Sequence, residues 1–164
     1  MADINKSSQD NVGGFNRVRF IDINNIIKIN DAIDHTLDID DIVIFSNEYF
    51  PNDWSTFYGS TETIQLDIET VETDAGKHYE ITLRLRYPKD QALITNIFLD
   101  MANHAYLILV TNNQGETKLL GNKTSPMRMN FRILSPADIP GYNGYQVEFS
   151  GKFTYPPYSV NEEE

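Results

Sequence analysis

The sequence predicts a mainly β protein, an antiparallel β-sandwich or small barrel with one flanking α-helix at about residues 89–103. Three observations predict it. Apolar and polar residues alternate in segment after segment, the period-2 mark of half-buried strands. Aromatic residues make up 12% of the chain, nine Tyr and nine Phe among them, and pleated sheets favour these residues. Connections between the strand-like runs are hairpin-length, and only one stretch shows convincing helical spacing.

Residues 1–14 are polar and end in Gly13-Gly14, which reads as a flexible N-terminal arm. RVRFIDI (17–23) alternates as a strand. In the Asn-, Asp- and Ile-rich stretch that follows, IDDIVIF (39–45) reads as a strand and the segment before it as a loop with short extended pieces. FPNDW (50–54) carries the Pro-Asn-Asp cluster of a turn. The clearest unit is a hairpin. TIQLDIET sets Ile64, Leu66 and Ile68 on one face, and HYEITLRLRY sets Tyr79, Ile81, Leu83, Leu85 and Tyr87 on one face, with TDAGK (73–77) turning between them. Joining the apolar faces also joins the polar ones, which places Asp67 and Glu69 near Arg84 and Arg86. Pro88 ends the strand.

The helix then runs from about Lys89 to Asn103, with Asp90 as N-cap and Leu93, Ile94, Ile97, Phe98 and Met101 as its apolar stripe. AYLILVTN (105–112) is a buried strand that turns at NNQG into ETKLLGN. MRMNFRIL (127–134) and, after the PADIPGYNG loop, YQVEFSGKFTY (145–155) are further strands, and Pro156-Pro157 stops the last. The result is a single β-rich domain over 15–158, with residues 159–164 as a disordered acidic tail.

At 164 residues the chain can bury one core of its own. It has no cysteine, so disulfide and thiolate chemistry are excluded, and a reducing compartment is expected. The N-terminus lacks the basic start and apolar run of a secretory signal, and no apolar stretch approaches the ~20 residues that span a bilayer. Thirteen Lys and Arg stand against 24 Asp and Glu, a formal charge of −11 that repels a polyanion on average. No membrane partner and no sequence-specific nucleic-acid partner is expected.

No catalytic pattern emerges. G-x-S-x-G, the Walker loop and G-x-G-x-x-G are all missing from the sequence. His35, His78 and His104 fall in different elements without the spacing of a zinc site. DHTLDIDD (34–41) has carboxylates two apart but lacks the glycine turn and closing glutamate of an EF-hand, and reads as a solvated acidic loop or a subunit contact. The expectation is a protein that is not an enzyme, with no cofactor and no metal. Tyr49, Phe50 and Trp54 could stack on a sugar; sealing one end of the sandwich is the simpler role. Asn122-Lys-Thr matches a glycosylation acceptor, a frequent chance match.

The arginines are the unusual feature. Every one belongs to an evenly spaced pair: Arg17 and Arg19, Arg84 and Arg86, Arg128 and Arg132. Even spacing puts both members on one face of a strand. They either neutralise acids of their own sheet or meet acidic surfaces of neighbouring copies, a role that suits the planar, bidentate guanidinium. The interface expected on the second reading comprises these six arginines and Asp38, Asp40 and Asp41.

The order DAGKHYEITL (74–83), helix, LILVTNNQGETKLLGN (107–122), SPMRMNFRI and a closing GYQVEFSGK resembles small virion proteins from the structural modules of tailed phages and prophages of Bacteroidetes-type bacteria. The resemblance covers roughly residues 55–155; the Thr-His-Arg that commonly follows the family's last strand is replaced by Thr154-Tyr155-Pro156 here. It implies a non-enzymatic neck or tail subunit (tube, terminator or connector) in the virion, assembled in the bacterial cytoplasm. The partners it implies are copies of itself and other phage virion proteins, in a ring around the DNA channel. A lumen lined with carboxylates would let DNA pass without sticking. The alternative is a carbohydrate-binding or host-recognition β-sandwich module.

Overall fold

The computed structural model describes residues 14–44, 54–57, 63–135 and 143–162. Strand β1 (Phe15–Asp22) passes through a 3-10 turn at Ile23–Asn25 into β2 (Ile26–Ile29). A second 3-10 turn, Ile39–Asp41, separates β3 (Thr36–Asp38) from β4 (Ile42–Ile44), and β5 is Ser55–Phe57. The hairpin of β6 (Gln65–Thr73) and β7 (Gly76–Pro88) leads into helix α1 (Ala92–Met101). After it come β8 (Ala105–Asn112), β9 (Thr117–Leu120), β10 (Met127–Leu134), β11 (Gly144–Phe153) and β12 (Tyr158–Asn161).

Pairing runs β3-β12-β9-β8-β10-β11-β7-β6, with β1 joined to β8 and β5 to β1, while β2 and β4 form a separate ribbon. β10 joins two halves of this sheet. Its first residues, Met127 and Arg128, pair with Tyr106 and Ala105 of β8, and from Arg128 to Leu134 it pairs with β11. Side chains of both halves meet in one cluster: Ile81, Leu83 and Leu85 of β7 and Val147 and Phe149 of β11 pack with Val18 of β1 and Ile108 and Val110 of β8. Each such buried side chain stabilises the fold by roughly 1.5–3 kcal/mol. This is a β-sandwich with one flanking helix. Among the described residues the path does not close into a barrel. One pair departs from the expected antiparallel order, since β12 runs parallel to β3.

β8 explains why its sequence does not alternate. Tyr106, Ile108 and Val110 face the first cluster, while Leu107 and Leu109 face a second, with Ile21, Leu37, Leu119 and Val160, beneath the β2–β4 ribbon's Ile26 and Ile42. A strand covered on both faces reads as a continuous apolar run. Trp54 packs against this second cluster, as a sealing role requires; Tyr49 and Phe50 lie outside the described residues.

The helix is shorter than the expected 89–103. Lys89 stands at φ 63°, outside the helical range, and Gln91 occupies the N-cap without a side-chain bond. Asp90 is not the cap: its carboxylate accepts from the buried Tyr145 hydroxyl at 2.7 Å, and that hydroxyl also accepts the Gln91 N–H at 3.1 Å. Phe98 and Met101 are buried and Ile94 partly so, whereas Leu93 and Ile97 of the expected stripe are exposed. The helix closes one end of the sandwich, and the rings of Tyr87, Phe131 and Tyr145 meet only its Phe98 side. Among the described residues no helix is long and apolar enough to cross a membrane.

Two further expectations change. In IDDIVIF the first three residues form the 3-10 turn, because Asp41 folds back to accept the Asp38 N–H at 2.9 Å. Within the tail expected to be disordered over 159–164, residues 159–161 instead belong to β12, which inserts between β9 and β3 and buries Val160. The expected arm lies outside the described residues except for Gly14, whose carbonyl accepts from Asn113 N–H at 3.1 Å.

Candidate functional site

Strand geometry divides the arginines into two sites. On β1, Val18 points into the first cluster, so Arg17 and Arg19 point the other way, on the side of Ile21 and the second cluster. Both meet the carboxylate of Glu162: Arg17 at 3.2 Å through one oxygen and Arg19 through the other. The Thr117 hydroxyl donates to the same Glu162 oxygen as Arg19, at 2.8 Å. Burial would raise the Glu162 carboxyl, but the Thr117 and Arg19 hydrogen bonds and the two guanidinium charges hold it below its ordinary value of 4.5. Arg19 is only 15% exposed, and its Nε is buried without a hydrogen-bond partner. This pair clamps the C-terminal strand onto β1 and β9.

The other four arginines share one face. The register of β10, β11 and β7 lines up Arg132, Gln146 and Arg86 in one cross-strand row, Asn130, Glu148 and Arg84 in the next, and Arg128, Ser150 and Thr82 in a third. Val147, Phe149, Leu83 and Leu85 alternate with these rows and face the core, so the rows face outward. Arg84 spans two strands, its Nε donating to Glu148 at 2.8 Å and a terminal nitrogen to Asp67 of β6 at 3.0 Å. Arg132 Nε donates to the Gln146 side-chain oxygen at 2.9 Å. The Arg86 backbone N–H donates to the Thr63 hydroxyl at 3.2 Å. A shallow depression lies among Arg84, Asn130, Phe131, Arg132, Gln146 and Glu148. Farther along the face, Lys152 and His78 both reach Glu80, at 3.0 and 3.2 Å, and these hydrogen bonds, Lys152 foremost, hold its carboxyl below the ordinary range.

The expected match of Asp67 with Arg84 is therefore present. That of Glu69 with Arg86 is not, because the hairpin register sets Glu69 opposite Glu80 and Gln65 opposite Arg84. Arg128 is exposed opposite Ser150, with no carboxylate beside it among the described residues. Sequence reasoning missed Glu148 and Glu162, which reach their arginines across 64 and 143 positions of chain.

The acidic residues form a third, separate group. Asp38 accepts from the Asn161 side chain at 3.2 Å, Asp41 accepts from Asp38 N–H and from Asn30 at 3.1 Å, and Asp40 is exposed. The backbone bond from Asp38, then that from Asn30, lowers the Asp41 carboxyl below its ordinary value. These acids build their own turn and fasten it to β12. Among the described residues no three His, Asp or Glu side chains converge as metal ligands would. The histidines stay apart: His35 packs at a tilt against Tyr158, His78 sits beside Glu80, and His104 lies 4.0 Å from Asp22. Asn122, the glycosylation-like position, is engaged; its oxygen accepts from Thr124 N–H and Ser125 N–H, and its nitrogen donates to the Tyr155 hydroxyl at 2.7 Å.

No family model matches the chain, and neither a curated protein nor a solved structure matches it.

Proposed function

We propose that the chain is a non-enzymatic structural subunit of a tailed-phage virion, a neck or tail component that assembles with its own copies and with other virion proteins into a ring around the DNA channel. One observation carries the reading: four of the six arginines stand in register on the outer face of one sheet, and the two on β10, Arg128 and Arg132, have no carboxylate partner among the described residues. Arginine fixed on a sheet loses little side-chain freedom when it meets a carboxylate of another subunit, and the chain carries 24 carboxylates to offer. The net charge of −11 suits a channel through which DNA slides without adhering. The resemblance over residues 55–155 supplies the phage context. The sugar-binding alternative wants an exposed Trp54, and Trp54 lies against the second core.

Size-exclusion chromatography with light scattering tests the reading. The expected result is a multi-subunit species at low salt that weakens at moderate salt. Arg128→Ala with Arg132→Ala should reduce assembly more than thermal stability. A strict monomer at high concentration in both salts would overturn the proposal.

A further inference from the structure

We infer that one copy binds the next edge to edge, β6 of one subunit adding as a strand beside β10 of its neighbour. This rests on the self-assembly reading and supplies its interface.

The first support is the open ladder. β6-β7-β11-β10 is a run of four antiparallel strands. Among the described residues β6 pairs only with β7, and β10 beyond Arg128 pairs only with β11. Each outer edge presents backbone N–H and C=O groups sideways, the template for strand addition. Because the run has an even number of strands, its two outer strands point in opposite directions. A copy laid alongside in the same orientation sets its β6 antiparallel to β10, along the stretch beyond Arg128 where β8 no longer holds that edge.

The second support is charge. β6 carries Asp67, Glu69 and Glu72 and no basic residue, while β10 carries Arg128 and Arg132 and no acidic one. Charged edges ordinarily discourage pairing. Here each edge repels its own kind and attracts the other, which favours a head-to-tail contact over a two-fold dimer.

The third support is apolar. The pleat sends Ile68 and Ile133 toward the core side, yet at the sheet edges they remain 38% and 46% exposed. One register satisfies both faces along 130–134, the part of the β10 edge that β8 leaves open; Val71–Thr73 of the incoming strand diverge from Arg128 and Met127, which pair with Ala105 and Tyr106 of β8. This register sets Leu66 opposite Ile133 and Ile68 opposite Phe131 on the core side. On the outer side it sets Asp67 opposite Arg132 and Glu69 opposite Asn130, with Glu69 diagonal to Arg128 and Arg132 alike. Repeated from copy to copy, such a contact closes into a ring if the rotation permits.

Glu69 and Arg128 are both exposed and have no ion-pair partner among the described residues, so reversing them leaves the fold intact. Sedimentation velocity at low salt would compare Glu69→Arg, Arg128→Glu and the double exchange, with circular dichroism melts as the fold control. Each single reversal should weaken self-association about tenfold or more, and the double exchange should recover to within about threefold of the parent. Singles that weaken association without recovery in the double, or an oligomer indifferent to all three, would overturn the edge contact while leaving assembly standing. A parent chain that is monomeric throughout would overturn both readings.

Discussion

Glu162 shows what one carboxylate can hold. It takes two arginines and a threonine hydroxyl from β1 and β9, and Arg19 beside it is largely buried. Glu162→Gln would leave Arg19 desolvated against a neutral amide, a loss of about 1–2 kcal/mol at neutral pH in urea unfolding. The sign with pH follows from the lowered carboxyl. The folded state favours the ionised form, so its contribution is complete above the ordinary value of 4.5 and fades as pH falls through the lower folded value. The stability gap between parent and Glu162→Gln should close in acid; a gap that persists below that range would contradict the ion pair. At this scale the sequence was legible only locally. Arg84 and Asp67 sit on two arms of one hairpin, so alternation alone brings them together. Arg19 and Glu162 meet only because β12 folds back across the sheet, and nothing in their spacing announces it.

Among the elements, β12 differs most from its sequence. Tyr158-Ser-Val-Asn follows two prolines and offers one aliphatic side chain, too little for a strand by its own propensity. It becomes a strand because β9 and β3 each present an edge and the second cluster has a place for Val160. Deleting residues 158–164 should therefore lower the urea midpoint strongly, by several kcal/mol of stability, since Leu37 and Leu119 would lose their cover. An unchanged midpoint would show that β12 is an ornament. By contrast β6, β7, β10 and β11 were legible, because long alternating runs carry their own register. The helix was legible in existence and not in length. Its apolar stripe is wider than the core it covers, so Leu93 and Ile97 stay in solvent while Phe98 takes the ring cluster.

For the whole molecule, alternation left a sandwich or a small barrel with one flanking helix, and the pairing of β10 first with β8 and then with β11 decided for a sandwich of two halves. Where the arginines lie relative to one another could not be read from spacing, since it depends on which strands become neighbours. That same order of strands leaves an acidic edge at β6 and a basic one at β10. The absence of cysteine makes this arrangement directly measurable. Glu69→Cys and Asn130→Cys in one chain stand at opposite edges of the four-strand run and four residues out of line along it, about 19 Å apart, beyond the reach of a disulfide. Across the inferred contact they stand opposite one another. Mild oxidation should then give a ladder of covalent multimers on a non-reducing gel, where either single variant can give nothing larger than a dimer. A doubly substituted chain that associates yet stays uncrosslinked would contradict the edge-to-edge account.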